Sequence, residues 1–476
     1  MHKHSTAGLA LAMVLVLSGC ATLAPRGSEV TPSIPAQWPA SLAAGDASPA
    51  RAVADVADIG WREFFPDPRL QTLITQSLDN NRDLRVAALN VVRARAQYRI
   101  QRADRMPSFN VQGQMTRSGG DVPVSEQFSA NLGVAEFELD LFGRVRNLSD
   151  AALQKYFAET ENRRGAQLTL VAEVANAWLT LGADREQLRI AQATLAAHED
   201  SLRLIEARHQ RGGSSALDVS QARTLVETAR TDVARFTGQV AQDRNALVLL
   251  AGGPVEEDLL PQDNLADIAA LRPLPAGLPG DVLLRRPDVM AAEHVLLSAN
   301  ANVGAARAAF FPSIQLTGAI GSASTELSGL FDGGTRAWSF IPRITLPIFQ
   351  GGRLRANLGM ATADQDIALA QYEKAIQSGF REVADALALS ESLDGQLASQ
   401  RALVSATEQA ERLSQARYDA GLDSFLTLLD ARRAAYGARQ TLVNTRLAQQ
   451  SNQVALYKVL GGGWREGGLA HIRPQQ

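Results

Sequence analysis

Apolar residues recur with helical spacing along two very long stretches of the chain. The clearest series is spaced by seven residues and consists of Val174, Leu181, Leu188, Leu195 and Leu202. Such a heptad is typical of helices that pack against other helices. It predicts a helix from about 150 to 211, and a similar composition predicts another from about 355 to 419. A helix of about 60 residues spans about 90 Å, so we expect a coiled coil or bundle in which the heptad serves only packing.

Glycine marks the end of each long helix. Gly212 and Gly213 follow the first helix and Gly421 follows the second, and glycine is the usual residue at a left-handed helix C-terminus. A shorter helix is predicted after each turn, over about 216 to 251 and about 424 to 460. The residues that can cap these helices are Ser214 or Ser215 in the first turn and Asp423 or Ser424 in the second. Each glycine turn is therefore predicted to be the tip of a helical hairpin.

Polar and apolar residues alternate in four segments between the helices. Helical stretches over 66–106 and 285–310 stop at Pro107 and Pro312, because proline lacks an amide donor and disfavours helix before itself. The strands predicted after these prolines are 108–117, 128–141, 313–322 and 337–349. Segments of about ten residues with period-two polarity fit membrane-barrel strands, but a half-buried hairpin of a soluble domain has the same pattern. Pro342 counts locally against the fourth strand.

The same order of elements occurs twice. Seven residues recur 205 positions later: Asp83, Ala87, Arg102, Ala103, Pro107, Ser108 and Gly113 reappear as Asp288, Ala292, Arg307, Ala308, Pro312, Ser313 and Gly318. Later pairs, such as Arg144 and Arg353 or Ala207 and Ala416, are 209 positions apart. The unit is far longer than a solenoid repeat, so we predict a duplicated half that contains a helix, a strand pair and a long helical hairpin.

The N-terminus has the features of a bacterial lipoprotein signal. Lys3 precedes an apolar segment over 7–17 that is too short to span a bilayer. Residues 17–20 (LSGC) resemble a lipobox, and Cys20 is the only cysteine. We therefore predict lipidation of Cys20. Ala21 follows where retention in the inner membrane usually requires Asp, and this resemblance points to the outer membrane.

Membrane strands would constrain the assembly. Four strands cannot close a barrel, and an open sheet edge in lipid leaves backbone groups unpaired. A water-filled lumen needs well over eight strands, so three chains with about twelve strands are the smallest sensible closure. On this reading the fold is mainly α with membrane β: a homotrimeric β-barrel of about twelve strands that continues into a long α-helical barrel.

A set of motifs between Trp61 and Trp464 is specific in combination. The motifs are W-x-x-F-F-x-D-x-x-L (61–70), L-F-G-R (141–144), A-x-F-P-S (309–313), I-F-x-G-G-R-L (348–354), A-R-Y-x-x-G-x-x-S-x-L-x-L-L-D-A-R-R (416–433) and L-Y-K-x-L-G-G-G-W (456–464). Together they resemble the TolC/OprM family of outer-membrane efflux proteins, and most closely its lipidated OprM/NodT branch. The resemblance covers nearly the whole chain from Trp61 onwards.

The family resemblance implies a 12-stranded outer-membrane barrel, a periplasmic helical barrel and an equatorial belt. It also implies a passive exit channel for an inner-membrane efflux transporter of the resistance-nodulation-division type, joined through a periplasmic adaptor that docks at the hairpin tips, Gly212 and Gly421. An exit duct for type I protein secretion would share this architecture and remains the alternative. A periplasmic adaptor itself would contain one hairpin and a lipoyl-like domain, not two hairpins and two strand pairs.

The resemblance also assigns three residues to a periplasmic gate. Leu426, Asp430 and Arg433 match the family's hydrophobic ring, acidic ring and basic partner, and their spacing places them on one helix face. Threefold symmetry would turn each into a ring that constricts the duct and favours cations. The alternative is a solvated helix face with an ordinary ion pair. The first half has Gln221 and Thr224 in place of Asp430 and Arg433, so only the second hairpin would form the rings.

Composition gives no indication of catalysis. The chain has 47 basic and 50 acidic residues, a balance that provides no electrostatic reason to expect nucleic acid. No histidine has metal-ligand spacing, the glycine runs at 351–352 and 461–463 lack the Lys-Ser/Thr of a phosphate loop, and no nucleophile elbow occurs. We predict a non-enzyme without metal or cofactor other than its covalent lipid. The predicted segments are 1–19 (signal peptide), 20–60 (tether), 61–251 (first repeat), 252–284 (equatorial linker), 285–461 (second repeat) and 462–476 (tail).

Overall fold

The fold is described from a computed structural model that places residues 23–25, 34–35, 38, 59–121, 123–262, 271 and 282–462. The chain divides into two compact units, each of which draws on both repeats. The first unit comprises residues 1–32, 89–161 and 290–375, and the second comprises residues 33–88, 162–289 and 376–476. The described helices do not include one with the length and hydropathy needed to cross a bilayer.

The two repeats have the same order of elements. In the first repeat these are α1 (Trp61–Phe64), α2 (Pro68–Asn80), α3 (Arg82–Ala103), β1 (Phe109–Ser118), β2 (Ser125–Leu139), α4 (Arg144–Gln210) and α5 (Ala216–Ala251). In the second repeat they are α6 (Pro287–Ala308), β3 (Ser313–Ser324), β4 (Arg336–Thr345), α7 (Arg353–Asp419) and α8 (Phe425–Val459). The predicted strand pairs and hairpins are confirmed, and α4 and α7 each have 67 residues.

The helix predicted over 66–106 is broken at Asn81. This residue closes α2 through its backbone amide, which donates to Ser77 O at 2.8 Å. It also begins α3, because its Oδ1 accepts hydrogen bonds from the amides of Asp83 and Leu84, both at 3.0 Å. A continuous helix was the wrong prediction here, since a short polar side chain that caps a helix competes with helix continuation.

The heptad on α4 is only partly the buried seam. Val174 and Leu181 are fully buried, but the three later leucines of the series are only half-buried in the single chain. Burial shifts instead to Ala191, His198 and Ile205. The buried series is thus displaced by three positions from the leucine series in the second half of α4.

The four strands form one antiparallel sheet in the order β1-β2-β3-β4. The strand pair of each repeat is therefore joined to the other by β2 and β3. Glycines allow the close approach of these two strands: a Cβ at Gly133 would lie 2.4 Å from Gly318 O, and a Cβ at Gly321 would lie 2.0 Å from Ala130 O. Pro342 pairs with Leu316 in β4, so the fourth strand forms despite its proline. Within one chain β4 lies at the edge of the sheet, where a missing donor is tolerated.

The core of the second unit brings together distant motifs. Phe64 stacks on Tyr457 with ring centroids 4.1 Å apart, and the Tyr457 hydroxyl donates to Ile59 O at 2.9 Å. Trp61 and Trp178 are fully buried in the same cluster. The W-x-x-F-F motif and the L-Y-K motif thus pack against each other. Large aromatic side chains such as these contribute much of the apolar area buried in a core.

Candidate functional site

An exposed apolar row crosses the whole sheet. The register aligns Val111 with Leu132, Leu132 with Ile320, and Ile320 with Trp338. Directly paired residues of antiparallel strands share a face, so these four side chains form one band. Val111 is 81% exposed and Trp338 is 77% exposed. A soluble hairpin would bury such a face, and none of the described residues covers the band.

The neighbouring row faces the other side of the sheet and contains polar or small residues. Gln112 pairs with Asn131, which pairs with Gly321, which in turn pairs with Ala337. The sheet therefore has one apolar face and a second face that is polar on β1 and β2 and lined by small residues on β3 and β4, a difference that fits strands between lipid and a water-filled lumen.

The predicted tips are tight left-handed turns. Gly212 and Gly421 have φ of 75° and 71°, values that are strained for residues with a Cβ. In the first tip the Ser215 hydroxyl accepts a hydrogen bond from the Asp218 amide at 3.0 Å, and the Asp218 carboxylate accepts one from the Ser215 amide at 2.9 Å. Ser215, rather than Ser214, is thus the cap.

The second tip is stabilised differently. Ser424 precedes α8 but forms no side-chain bond to the helix backbone. Asp423 instead accepts from Arg417 Nε at 2.7 Å and Nη2 at 3.0 Å. These hydrogen bonds hold the pKa of the Asp423 carboxyl below its usual value. Leu422, between the glycine and this aspartate, is exposed, so the second tip presents an apolar side chain to solvent.

The three candidate gate residues lie together on one exposed face of α8. Leu426 is 51% exposed, and Asp430 and Arg433 are exposed as well. The opposite face of the same turns is buried through Phe425 and Leu428, which pack near Ile205 of α4. Within the described chain neither charged residue forms an ion pair, so the predicted Asp430–Arg433 pair is not made inside one copy.

The neighbouring Arg432, which sequence reasoning passed over, anchors α8 to the first hairpin. Its guanidinium donates to Ser201 Oγ at 3.0 Å and to Gln415 Oε1 at 2.6 Å. Close by, His198 is buried and its Nδ1 has no hydrogen-bond partner. Burial, together with the positive charge of Arg432, lowers the pKa of His198 to about 4. The imidazole is therefore neutral at neutral pH and does not repel the guanidinium.

Two carboxyl groups interact between α4 and α5. Burial, the hydrogen bond with Asp184 and the Asp184 charge raise the pKa of Asp243 to about 7. Among the described residues no donor reaches the buried Asp243 Oδ2, and a proton on Asp243 that bonds to Asp184 relieves the repulsion between the two groups. The positive charge of Arg235 lowers the pKa of Asp184, against the effect of burial.

Two of the described residues of the predicted tether contact the rest of the chain. Leu23 O accepts a hydrogen bond from Arg307 at 3.2 Å. Trp38 is buried and stacks on Phe380 with ring centroids 4.9 Å apart. Cys20 itself, with most of the predicted tether and the tail after residue 462, lies outside the described residues.

Comparison with known proteins agrees with this architecture. The profile of the family described as "Outer membrane efflux protein" matches residues 73–253 and 278–462. The antibiotic efflux pump outer membrane protein ArpC and the toluene efflux pump outer membrane protein TtgC, both from Pseudomonas putida, are each 47% identical over 466 residues, with 96% of each chain covered. The crystal structure of the open state of the MtrE outer membrane channel from Neisseria gonorrhoeae is similar with a TM-score of 0.85 and 40% identity, over 93% of this chain and 99% of that one.

The family match covers most of the chain and both repeats, and the relatives match over nearly their full length. The matched ranges contain the four strands, both hairpins and the candidate gate residues. The chain therefore belongs to the outer membrane efflux protein family.

Proposed function

We propose that this protein is the outer-membrane exit channel of a tripartite efflux pump of the resistance-nodulation-division type. The observation that supports this most directly is the apolar row Val111–Leu132–Ile320–Trp338, exposed across a sheet whose other face has polar or small residues in the neighbouring row. Relatives named for antibiotic and toluene efflux support small organic molecules as the exported cargo. The channel conducts passively and has no catalytic activity or cofactor of its own.

The unpaired edges of the sheet support a homotrimer. Within the described chain β1 pairs only with β2, and β4 pairs only with β3. Because β1 and β4 run antiparallel in a four-stranded meander, β4 of one copy can continue the antiparallel ladder with β1 of the next. Three copies give twelve strands, which close the sheet without a free edge. A lipid on Cys20 adds a second anchor to the same membrane.

The helical hairpins fit a gated contact with partners. The tips at Gly212 and Gly421 dock a periplasmic adaptor, which joins the duct to the inner-membrane transporter. Three copies of Leu426 and Asp430 converge on the axis and close the resting duct, and Arg433 pairs between neighbouring copies. The exposure of all three on one helix face, together with the lack of an ion pair at Asp430 or Arg433 within the described residues, supports this arrangement.

The test compares lysine substitutions at adjacent positions that face opposite sides of β1. Val111→Lys places a charge in the lipid, at a cost of about 2–4 kcal/mol per strand near the bilayer centre. Gln112→Lys places the same charge on the polar face. In a strain that lacks its own exit ducts but has a matching adaptor and pump, the wild type and Gln112→Lys are expected to restore toluene and antibiotic resistance, whereas Val111→Lys is not.

Two results would contradict the proposal. If the wild type reaches the outer membrane but leaves accumulation of a fluorescent efflux substrate unchanged with any adaptor and pump pair, it is not a drug exit duct. If such a strain instead regains secretion of a type I protein substrate, the alternative cargo is correct. Equal activity of the two lysine variants would refute the assignment of the sheet faces.

A further inference from the structure

A buried arginine joins three helices at the root of the second hairpin. Arg286 immediately precedes α6, and its side chain is only 9% exposed. Its guanidinium donates to Asp288 Oδ1 at 3.0 Å and Oδ2 at 2.8 Å, to Glu382 Oε2 of α7 at 2.7 Å, and to Val459 O at the end of α8 at 3.0 Å. The start of α6, the middle of α7 and the end of α8 are thus bound by one side chain.

Gly379 makes room for this arginine. Glycine inside a helix is unfavourable by about 1 kcal/mol relative to alanine, so its presence within α7 needs a reason. A Cβ at this position would lie 2.9 Å from Leu283 Cδ2 and 3.2 Å from Arg286 Nε. The guanidinium therefore packs directly over a bare stretch of the α7 backbone.

The first repeat has the same joint with different chemistry. Arg286 corresponds to Asn81 at the 205-residue offset, and Val459 corresponds to Leu250 at the 209-residue offset. Asn81 Nδ2 donates to Leu250 O at 3.1 Å, which is the equivalent of the bond from Arg286 to Val459 O. In both repeats the residue that precedes the strand-leading helix thus binds the carbonyl at the end of the last helix.

The two repeats place the large and the small side chain at opposite positions of the joint. Gly379 corresponds to Leu170, which is buried in the core. The first repeat therefore combines a small residue at 81 with a large one at 170, and the second repeat combines a large residue at 286 with the smallest at 379. Both repeats thus combine one small and one large residue at these positions, but only the second combination introduces a charge.

The carboxylates of the charged joint also have counterparts. Asp288 and Glu382 correspond to Asp83 and Glu173, both of which are exposed and form no ion pair within the described chain. The second repeat thus differs by a buried, directional network. A planar guanidinium held by two carboxylates and a carbonyl favours one orientation of the helices, whereas a leucine contact is non-directional.

We propose that Arg286 is a positioning residue for the gate: it fixes the angle between α7 and α8 at the root of the hairpin that contains Leu426, Asp430 and Arg433. This rests on the proposed function. The helix from Glu382 to the tip is about 55 Å long at 1.5 Å per residue, so a change of about 5° at the root moves the tip by about 5 Å. The first repeat, which has no gate rings, does not need this restraint.

The test transplants the joint of the first repeat into the second. The double variant Arg286→Asn with Gly379→Leu restores volume and keeps a donor for Val459 O, but removes the charge. Glu382→Gln is a milder variant that removes one carboxylate and preserves shape. Arg381→Asn is the matched control, because Arg381 neighbours Glu382 on α7 but forms only an exposed pair with Asp385.

The tip is observed directly by a spin label on Ala420→Cys, which adds a second cysteine to a chain whose own cysteine is the lipidation site. Distances between labels in the assembled protein are measured by pulsed electron paramagnetic resonance. The double variant is expected to broaden the distance distribution by a few ångström and to raise the resting conductance in planar bilayers by about five- to tenfold, at the lower end of usual couplings between sites. Glu382→Gln is expected to broaden the distance distribution and raise the conductance as well, and Arg381→Asn is expected to change neither quantity.

An assembled double variant with the distances and conductance of the wild type would overturn the proposal and leave Arg286 as a packing residue. If the double variant does not assemble, Glu382→Gln decides the question by the same two measurements. Restoration of resistance by the wild type is scored separately. If the wild type does not restore resistance, the proposed function is refuted. If the wild type restores resistance but the variants show no broader distance distribution at the tip, only the role of Arg286 is refuted.

Discussion

The shared proton of Asp184 and Asp243 gives a pH dependence whose sign follows from the structure. The pKa of Asp243 rises from 3.8 to about 7 in the folded protein, first because of burial and then because of Asp184. A raised pKa in the folded state stabilises the fold below the unfolded value, and this stability is lost as the pH rises through the folded value. The α4–α5 joint is therefore expected to be firmer at pH 5 than at pH 8.5.

The magnitude is set by the width of this window. Between pH 5 and pH 7 the folded group is largely protonated and the unfolded group is ionised, which corresponds to about 2.7 kcal/mol over about two pH units. The carboxyl of Asp243 is only about half-buried, and solvent screening reduces such interactions. We expect about 1 kcal/mol. The lowered pKa values of Asp67 and Asp288 act only below about pH 4 and do not overlap this window. The pKa of His198, lowered from 6.5 to about 4, acts inside the window with the opposite sign, so each variant is compared with the wild type at the same pH, where the contribution of His198 cancels.

Asp243→Asn mimics the protonated carboxyl and is expected to remove this pH dependence. Hydrogen–deuterium exchange of α5 peptides, compared with the wild type at the same pH, cancels the intrinsic pH dependence of exchange. A stabilisation of about 1 kcal/mol slows exchange about fivefold if it proceeds by local opening. We therefore expect about fivefold slower exchange in the variant at pH 8.5 and no difference at pH 5.

The exposed carboxylate of Asp385 provides the control, since Asp385→Asn makes the same chemical change on the surface of α7. This control is expected to leave α5 exchange unchanged at both pH values. A wild-type rate in Asp243→Asn at pH 8.5, or the same effect at both pH values, would refute the shared-proton reasoning.

Four further predictions concern the anchor, the assembly, the tips and the gate. Cys20→Ser is expected to abolish incorporation of radioactive fatty acid, since only a thiol accepts the lipid, and equal labelling would contradict the lipobox. Light scattering corrected for detergent is expected to give the mass of three chains, because a monomer leaves β1 and β4 unpaired, and a well-folded monomer would contradict this. Gly421→Glu is expected to preserve the trimer but to lose drug resistance, because it strains a positive φ of 71° and obstructs docking; retained resistance would count against the tip. The double variant Asp430→Ala with Arg433→Ala is expected to raise conductance and vancomycin sensitivity without unfolding the trimer, because exposed ion pairs contribute about 0 to 1 kcal/mol each. If its conductance and ion selectivity equal those of the wild type, Asp430 is an ordinary solvated residue and not part of a gate.

The sequence alone predicted where the helices, strands and turns lie along the chain. Proline stops, glycine tips and period-two polarity depend on residues close in sequence, and the helices after Gly212 and Gly421 begin within one residue of their predicted positions. The duplication was also predicted from the sequence, because identical residues recur at a nearly constant separation along the chain. The family assignment followed from motifs such as the aromatic residues at 61–65, whose shared role in one core became clear only when Tyr457 was found stacked on Phe64.

Other features depended on contacts between residues far apart in the chain. The heptad on α4 predicted a seam but not that burial moves to Ala191 and Ile205, since the buried face of a long helix depends on the elements that pack against it. Pairing of β2 with β3 joins strands from different repeats, and alternation within a strand does not specify its neighbour. The network around Arg286 joins a residue before one helix to the middle of a second helix and the end of a third. From the sequence, the Arg286 guanidinium could pair with many carboxylates and carbonyls, and only the folded backbone brings Glu382 and Val459 O close enough to it to exclude water.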